Sequence, residues 1–296
     1  MQQLQARIIH NRPELADYHV LELDAPHVAE HARPGQFVHV RVACENDPLL
    51  RRPISILSAD PRTGVIRLLI KKVGRGTGIM FDLPVGETLD LLGPLGNGFT
   101  LPPEGKDVVL IGGGVGIAPL IFFADVLQRA PGTYRVRGLM GGANEEQLPV
   151  WTEFAGRCEE FYVSTDDGSA GEQGFVTDLL PAQIARGDVQ GVYTCGPRPM
   201  MAKVAAMCAE AGLPCCASME SWMGCGVGAC LGCVVPGTET DYLRVCREGP
   251  VFEASKLDWA GIVGPQPPHV PPPVPLSEGA DDGDACKCGC GGGCHD

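Results

Sequence analysis

Residues 225–233 read Cys-Gly-Val-Gly-Ala-Cys-Leu-Gly-Cys, a C-x4-C-x2-C run, and a further cysteine follows at Cys246. No other stretch limits so narrowly what the chain can become. Three thiols separated by glycines must form a loop that closes on a shared ligand. Glycine lets backbone N–H groups come close to that ligand and accepts positive φ where the loop requires it. A zinc ion, an iron–sulfur cluster and a disulfide pair are the three candidates.

Composition narrows the choice. The chain holds 14 cysteines in 296 residues and no apolar run long enough to span a bilayer. Its start, Met1-Gln2-Gln3-Leu4-Gln5, lacks the charged and apolar regions of a signal peptide, so a cytoplasmic location is expected. Cysteines in that compartment point to metal or redox use rather than a disulfide framework. A net charge of -13 without a basic tract argues against nucleic acid as a partner.

The first hundred residues alternate as strands. Val20–Asp24, Phe37–Val42, Val65–Ile70 and Thr88–Leu92 are four such runs, punctuated by Pro34-Gly35, Asp60-Pro61, Pro84 and Pro94. Short strands with tight turns predict a small antiparallel barrel over residues 1–100. Arg51-Arg52-Pro53-Ile54-Ser55 places forked donors and a hydroxyl on one strand, with Ile54 and Ile56 expected to point inward. Alone this is an edge strand with surface arginines. Gly74-Arg75-Gly76-Thr77, opening a short helix at Gly78–Phe81, adds N–H donors of the kind that hold phosphate. Two such elements look like two sides of one dinucleotide site. His39 lies opposite the valines of its strand and reads as a solvated or structural side chain.

Here the chain resembles the ferredoxin reductase-like flavoproteins, in a six-stranded version of the barrel. The strand Arg52, Pro53, Ile54, Ser55 and the turn Gly76, Thr77 match that family's FAD-binding motifs. The resemblance implies FAD at these residues, with Leu69, Ile70 and Lys71 lining the isoalloxazine and its tail. Many members carry an aromatic residue where Ile54 stands, so stacking at that position is not carried over.

From Asp107 the pattern becomes parallel α/β, expected over residues 101–214. Val108–Ile111 is a continuous apolar strand, Gly112, Gly113, Gly114 and Gly116 form a loop, and a helix runs from Ala118 to Gln128. In that context the glycines admit a pyrophosphate to the helix N-terminus. Further strands end at Gly141, at Ser164-Thr165-Asp166-Asp167 and at Cys195-Gly196-Pro197-Arg198-Pro199-Met200. The last is similar to the terminal NAD(P) motif of the same flavoproteins, which implies Cys195, Gly196 and Pro197 beside the nicotinamide. Taken alone, Cys195 is a small buried hydrophobe. Asp166 and Asp167, with no base nearby, lean toward NAD over NADP, unless Asp166 only caps its turn.

Residues 215–262 form the third expected module. Cys215 and Cys216 read as the end of a buried strand. Structural zinc sites pair two short cysteine knuckles. Here three cysteines share one loop and the fourth follows on the hairpin Tyr242–Cys246, an asymmetry that favours [2Fe–2S], as in plant-type ferredoxins. The run Cys225–Phe252, with Gly249-Pro250-Val251-Phe252 after the last cysteine, resembles the electron-transfer subunits of NAD-dependent dihydroorotate dehydrogenases, as does Arg52-Pro53-Ile54-Ser55. That resemblance implies Cys225, Cys230, Cys233 and Cys246 as cluster ligands. It also implies an FMN-containing catalytic partner subunit in a complex of two copies of each, and a place in pyrimidine (UMP) biosynthesis. Electrons would run from the partner's FMN through the cluster and FAD to NAD. Nothing in the chain offers a dihydroorotate site, so no catalytic residue is assigned.

Residues 263–296 depart from the family. A proline-rich linker leads to Cys286-Lys287-Cys288-Gly289-Cys290 and Cys294-His295, expected to be disordered without a ligand and able to bind a soft metal. Two rival readings stay open. One is the flavin and [2Fe–2S] subunit of another NAD(P)H-linked complex, of ferredoxin:NADP reductase, sulfite reductase or hydrogenase type. The other is a metal-binding or redox-sensing protein.

Overall fold

A computed structural model describes residues 1–42, 47–102, 107–131 and 134–264. The cysteine-rich tail and the proline-rich stretch before it lie outside the described residues.

Six strands close into an antiparallel barrel: β1 (Gln2–Leu15), β2 (Tyr18–Asp24), β3 (Phe37–Arg41), β4 (Arg52–Asp60), β5 (Val65–Lys71) and β6 (Thr88–Leu95), in the order β1-β2-β5-β4-β3-β6. Closure follows from alternation, since Val38, Val40, Ile56, Ile66, Leu68 and Leu91 turn inward to one core. Helix α1 (Pro26–His31) plugs one side, and α2 (Arg75–Asp82) follows β5. The longest strand, β1, is not among the four expected runs. Only Ala6 and Ile8 of it are buried, so its apolar signal is too sparse to read, and its course is set by pairing with β2 and β6.

The second unit is a seven-stranded sheet. Its strands are β7 (Asp107–Gly113), β8 (Arg135–Gly142), β9 (Glu160–Thr165), β10 (Glu172–Gln173), β11 (Val189–Cys195), β12 (Cys215–Ser218) and a last one, Val251–Glu253, in the order β10-β9-β8-β7-β11-β12-last. Between β12 and that last strand lies a hairpin, β13 (Val234–Pro236) with β14 (Tyr242–Arg244), so Val251–Glu253 is β15. All pairings in the sheet are parallel except β12 with β15, where Ser218 faces Val251. Cys215 and Cys216 thus begin a strand rather than end one, and segments on both sides of the cysteine loop are hydrogen-bonded into the nucleotide sheet.

Helix α3 (Ile117–Arg129) joins the two units. Phe122 enters the barrel core, while Leu120, Phe123 and Leu127 pack with Tyr18, Val20, Leu57 and Leu69 in the adjoining core. Each such buried side chain contributes about 1.5–3 kcal/mol by removal from water. Polar ties span the same seam: Arg67 donates to both Glu153 oxygens at 2.6 and 2.9 Å, and Tyr18 and Lys71 both donate to Gln147 Oε1, at 2.8 and 2.6 Å. Short helices α4 (Trp151–Ala155) and α5 (Leu180–Ile184) place Phe154 and Leu180 in the cores over the central strands of the sheet, and α6 (Arg198–Glu210) and α7 (Trp259–Val263) pack near the cysteine module. Among the described residues no helix is long and apolar enough to cross a membrane.

Candidate electron-transfer site

Arg52, Pro53, Ile54 and Ser55 open β4 opposite Val40, His39, Val38 and Phe37 of β3. Ile54 packs on the barrel core, as expected, and Ile56 lies within it. The Arg52 guanidinium rests on Gly76, where a Cβ would overlap its Nε. Thr77 Oγ1 accepts the N–H groups of Val73 and Gly74, at 2.9 and 3.2 Å, and so caps the start of α2. Strand arginine and helix N-terminus therefore converge, which is the donor set a pyrophosphate needs. Leu69 is buried toward α3 and Ile70 inside the barrel. Lys71 lies over the Tyr18 ring, 5.3 Å from its centroid, in the cleft between barrel and sheet.

The glycine loop meets the Cys195 motif at the carboxyl edge of the sheet. A Cβ on Gly116 would lie 2.7 Å from the Cys195 carbonyl, and one on Gly113 3.0 Å from Pro197 Cδ. Gly112, next to last in β7, lies against Ile117 and Leu120, and Gly196 adopts φ +155 against Gly113. Gly114, at φ +55, brings the loop to 3.5 Å from the Tyr18 hydroxyl, measured from the position its Cβ would take. The nucleotide loop and the flavin barrel thus share one cleft. Burial pushes the Cys195 thiol up to about 12, which leaves it protonated and no nucleophile. Asp166 is exposed after β9, two strands from the glycine loop, with its N–H bonded to the Gly142 carbonyl.

The four cysteines of the first motif gather in a loop rich in inward N–H groups. Val227 and Ala229 donate to Cys225 Sγ at 3.4 and 3.3 Å, Gly228 to Cys246 Sγ at 3.1 Å, and Gly232 to Cys230 Sγ at 3.4 Å. Gly226, Gly228 and Leu231 take φ of +71, +82 and +57 to achieve this. Cys225 neighbours Cys230, and Cys246 neighbours Cys233, its N–H reaching Cys233 Sγ at 3.5 Å. Among the described residues no set of three or more metal-binding side chains is arranged around one ion. Two cysteine pairs in a cradle of N–H donors fit a binuclear cluster, two thiolates to each iron, better than one tetrahedral zinc.

The loop is seated on the barrel. Phe37 and Leu95 share a core with Met219, Met223, Cys233, Val245, Cys246 and Phe252. Asn97 N donates to the Gly249 carbonyl at 2.6 Å. His39, expected as a solvated or structural side chain, is fully buried at this contact. Burial and the Arg51 charge push its imidazole down to about 4, so the ring is neutral.

Three family models match in the same order: the oxidoreductase FAD-binding domain over residues 6–99, the oxidoreductase NAD-binding domain over 110–206, and the iron-sulfur cluster binding domain of dihydroorotate dehydrogenase B over 220–258. The chain is 41% identical over 242 residues to the dihydroorotate dehydrogenase B (NAD(+)) electron transfer subunit of Desulforamulus reducens, covering 81% of this chain and 92% of that one. It belongs to this family of electron transfer subunits. A second member, from a Geobacillus species, is 40% identical over 261 residues, covering 87% and 99%. Among solved structures, an NADH-dependent reduced ferredoxin-NADP oxidoreductase studied for flavin-based electron bifurcation superposes with a TM-score of 0.78, at 30% identity over 86% of this chain and 90% of that one. The ferredoxin reductase of carbazole 1,9a-dioxygenase shares the fold, with a TM-score of 0.62 at 24% identity over 72% and 67%. As in its family, the chain is an oxidoreductase component with FAD, NAD and iron–sulfur domains.

Sequence reasoning missed Asn97, Gln147 and the burial of His39. A histidine amid valines, one strand from Arg-Pro-Ile-Ser, was the available signal for the last. Asn97 sits in a loop and Gln147 ends a single 3-10 turn, neither with any periodicity, and only the packing of the units gives them roles.

Proposed function

We propose that the chain passes electrons between NAD and the FMN of a catalytic dihydroorotate dehydrogenase subunit, in a complex of two copies of each, within pyrimidine biosynthesis. The observation that carries this reading is the seating of the Cys225–Cys246 loop on β3, beside the strand that bears Arg52–Ser55. FAD, when bound, exchanges a hydride with NAD and single electrons with an iron–sulfur cluster. The protein supplies placement and electrostatics.

In this reading residues 1–100 hold FAD, 101–214 hold NAD, 215–262 hold the cluster, and 263–296 are an appended linker and tail. Arg52 and the N-terminus of α2, with Gly76 and Thr77, take the FAD pyrophosphate. Pro53, Ile54 and Ser55, with Leu69, Ile70 and Lys71 behind them, shape the flavin bed. Gly112, Gly113, Gly114 and Gly116 admit the NAD pyrophosphate, Cys195, Gly196 and Pro197 flank the nicotinamide, and Asp166 faces the ribose. Cys225, Cys230, Cys233 and Cys246 ligate the irons. Around them Trp222, Val227, Leu231 and Tyr242 expose apolar side chains, the face offered to the partner. Nine free thiols among the described residues suit the reducing cytoplasm.

The test is the visible spectrum and metal content of the full chain and of a chain truncated after Gly264. Flavin and about two irons per chain are expected in both. Mixing with the FMN subunit should give dihydroorotate-dependent NAD+ reduction. Stoichiometric zinc without flavin would overturn the reading. The likeness to the ferredoxin-NADP oxidoreductase favours a second one, in which ferredoxin replaces the FMN subunit. Turnover with reduced ferredoxin and none with the FMN subunit would select it.

A further inference from the structure

His39 combines three properties that its place on a barrel strand does not explain. Its neighbours Val38 and Val40 turn into the barrel core, so its own side chain points outward, yet it is 0% exposed. What covers it is the cysteine loop. Gly226 lies so close that a Cβ there would stand 2.6 Å from His39 Nδ1, and Gly226 holds φ +71. Finally, both ring nitrogens are buried without a hydrogen-bond partner, although the backbone carbonyls of Arg51 and Cys225 face the ring. An imidazole buried with nothing to bond costs about 1–3 kcal/mol, and a leucine would fill the same space without that penalty. On its strand His39 is flanked by Pro53 of β4, in the flavin motif, and Leu92 of β6, and the peptide that follows Cys225 lies over its ring.

We propose that His39 is a positioning residue for flavin-to-cluster electron exchange: through the Cys225 carbonyl that faces its ring it braces the Cys225–Gly226 peptide against the flavin strand, and so holds the Val227 and Ala229 N–H groups on Cys225 Sγ. This rests on the reading of Cys225, Cys230, Cys233 and Cys246 as cluster ligands. Hydrogen bonds toward the sulfurs favour the reduced cluster, whose extra negative charge they stabilise. Replacement by a side chain of similar bulk without donors should therefore make the cluster harder to reduce.

The experiment uses the full holo chain with His39→Leu and His39→Gln. Readouts are iron and flavin content, the EPR spectrum of the reduced cluster and its reduction potential. In His39→Leu the reduced-to-oxidised ratio at a fixed potential should fall about tenfold, equivalent to about 59 mV for one electron. His39→Gln should restore most of it. A His39→Leu protein with full iron and an unchanged potential and EPR spectrum overturns the proposal. Should that variant lose its iron, wild-type protein labelled with 15N only in histidine rings decides the matter. A resolved 15N coupling to the reduced cluster supports the proposal, and its absence overturns it. A wild-type chain with no [2Fe–2S] signal at all overturns the ligand reading and this proposal together, an outcome distinct from either result with His39.

Discussion

Asn97 Nδ2 donates to the Arg247 carbonyl at 2.9 Å, linking the loop after the last barrel strand to the residue that follows Cys246. The same amide reaches the Glu248 carbonyl at 3.0 Å. A short loop thus clamps flavin unit to cluster unit. Asn97→Ala should cost only about 1 kcal/mol, because the site is open to water. The expected result is a drop of a few degrees in thermal midpoint with flavin content unchanged. Slower reduction of the cluster by the flavin, measured by stopped flow, should accompany it.

The cysteine pairing makes a selective prediction. Cys225→Ala, Cys230→Ala, Cys233→Ala or Cys246→Ala should each abolish the [2Fe–2S] EPR signal and leave FAD bound. Cys208→Ala and Cys216→Ala, in the nucleotide unit, should leave that signal intact.

Gly76 lies against the Arg52 guanidinium in the proposed flavin site. An alanine there overlaps Arg52 Nε, the far end of a flexible side chain, so the guanidinium moves and the fold survives. FAD affinity should fall about tenfold, the loss of one charge-assisted contact worth about 1.4 kcal/mol. Flavin fluorescence titration of the apoprotein measures it. Unchanged affinity would remove Arg52 from the site.

Gly116 has no such slack, because its neighbours are backbone: Cys195 O at 2.7 Å and Gly196 Cα at 2.8 Å from a Cβ. Gly116→Ala must push the two nucleotide loops apart, at about 1–3 kcal/mol in stability. NADH binding should weaken at least in proportion, with FAD retained. Parallel calorimetric titrations with the two nucleotides check this.

Acid sensitivity should concentrate on Arg137, which is 2% exposed and donates to Asp107 at 2.9 Å and to Asp188. The Arg137 hydrogen bond holds the Asp188 carboxyl down to about 2. Its folded value lies below the unfolded one of about 3.9. The stabilisation is therefore complete above that value and is lost as pH falls toward about 2. Asp188 is a third exposed, so the effect is about 1 kcal/mol after screening. Denaturant titrations should show Asp188→Asn weaker than wild type near neutrality and equal to it below about pH 2. Arg137→Leu, which leaves Asp107 paired with Arg135 alone, at 2.8 and 2.6 Å, should cost about 2 kcal/mol at neutral pH.

Local chemistry was legible in the sequence and long-range contact was not. The strand Val108–Ile111, its glycines and the following helix declare themselves by composition, and the observed helix extends only from Ile117 to Arg129. Arg52–Ser55 and the cysteine spacing are equally local. β1 escaped because its faces are mostly polar and its partners, β2 and β6, fix it. For His39 the sequence leaves the solvated and the structural readings both open, for a related reason. Alternation says which way a side chain points, but the segment that covers it lies at Gly226, far along the chain.

Ser218 and Val251 are directly paired across β12 and β15, so everything between them leaves and re-enters the sheet at a single point. In topological terms the stretch 219–250, which carries all four cysteines of the motif, is a hairpin loop. Such a loop can be grafted, exchanged or cut out and closed by a tight turn without reordering any strand. What excision would expose is Phe37 and Leu95, the apolar patch on which the module sits. The barrel and sheet alone retain the architecture of a two-unit flavin reductase, to which one inserted loop adds a one-electron outlet.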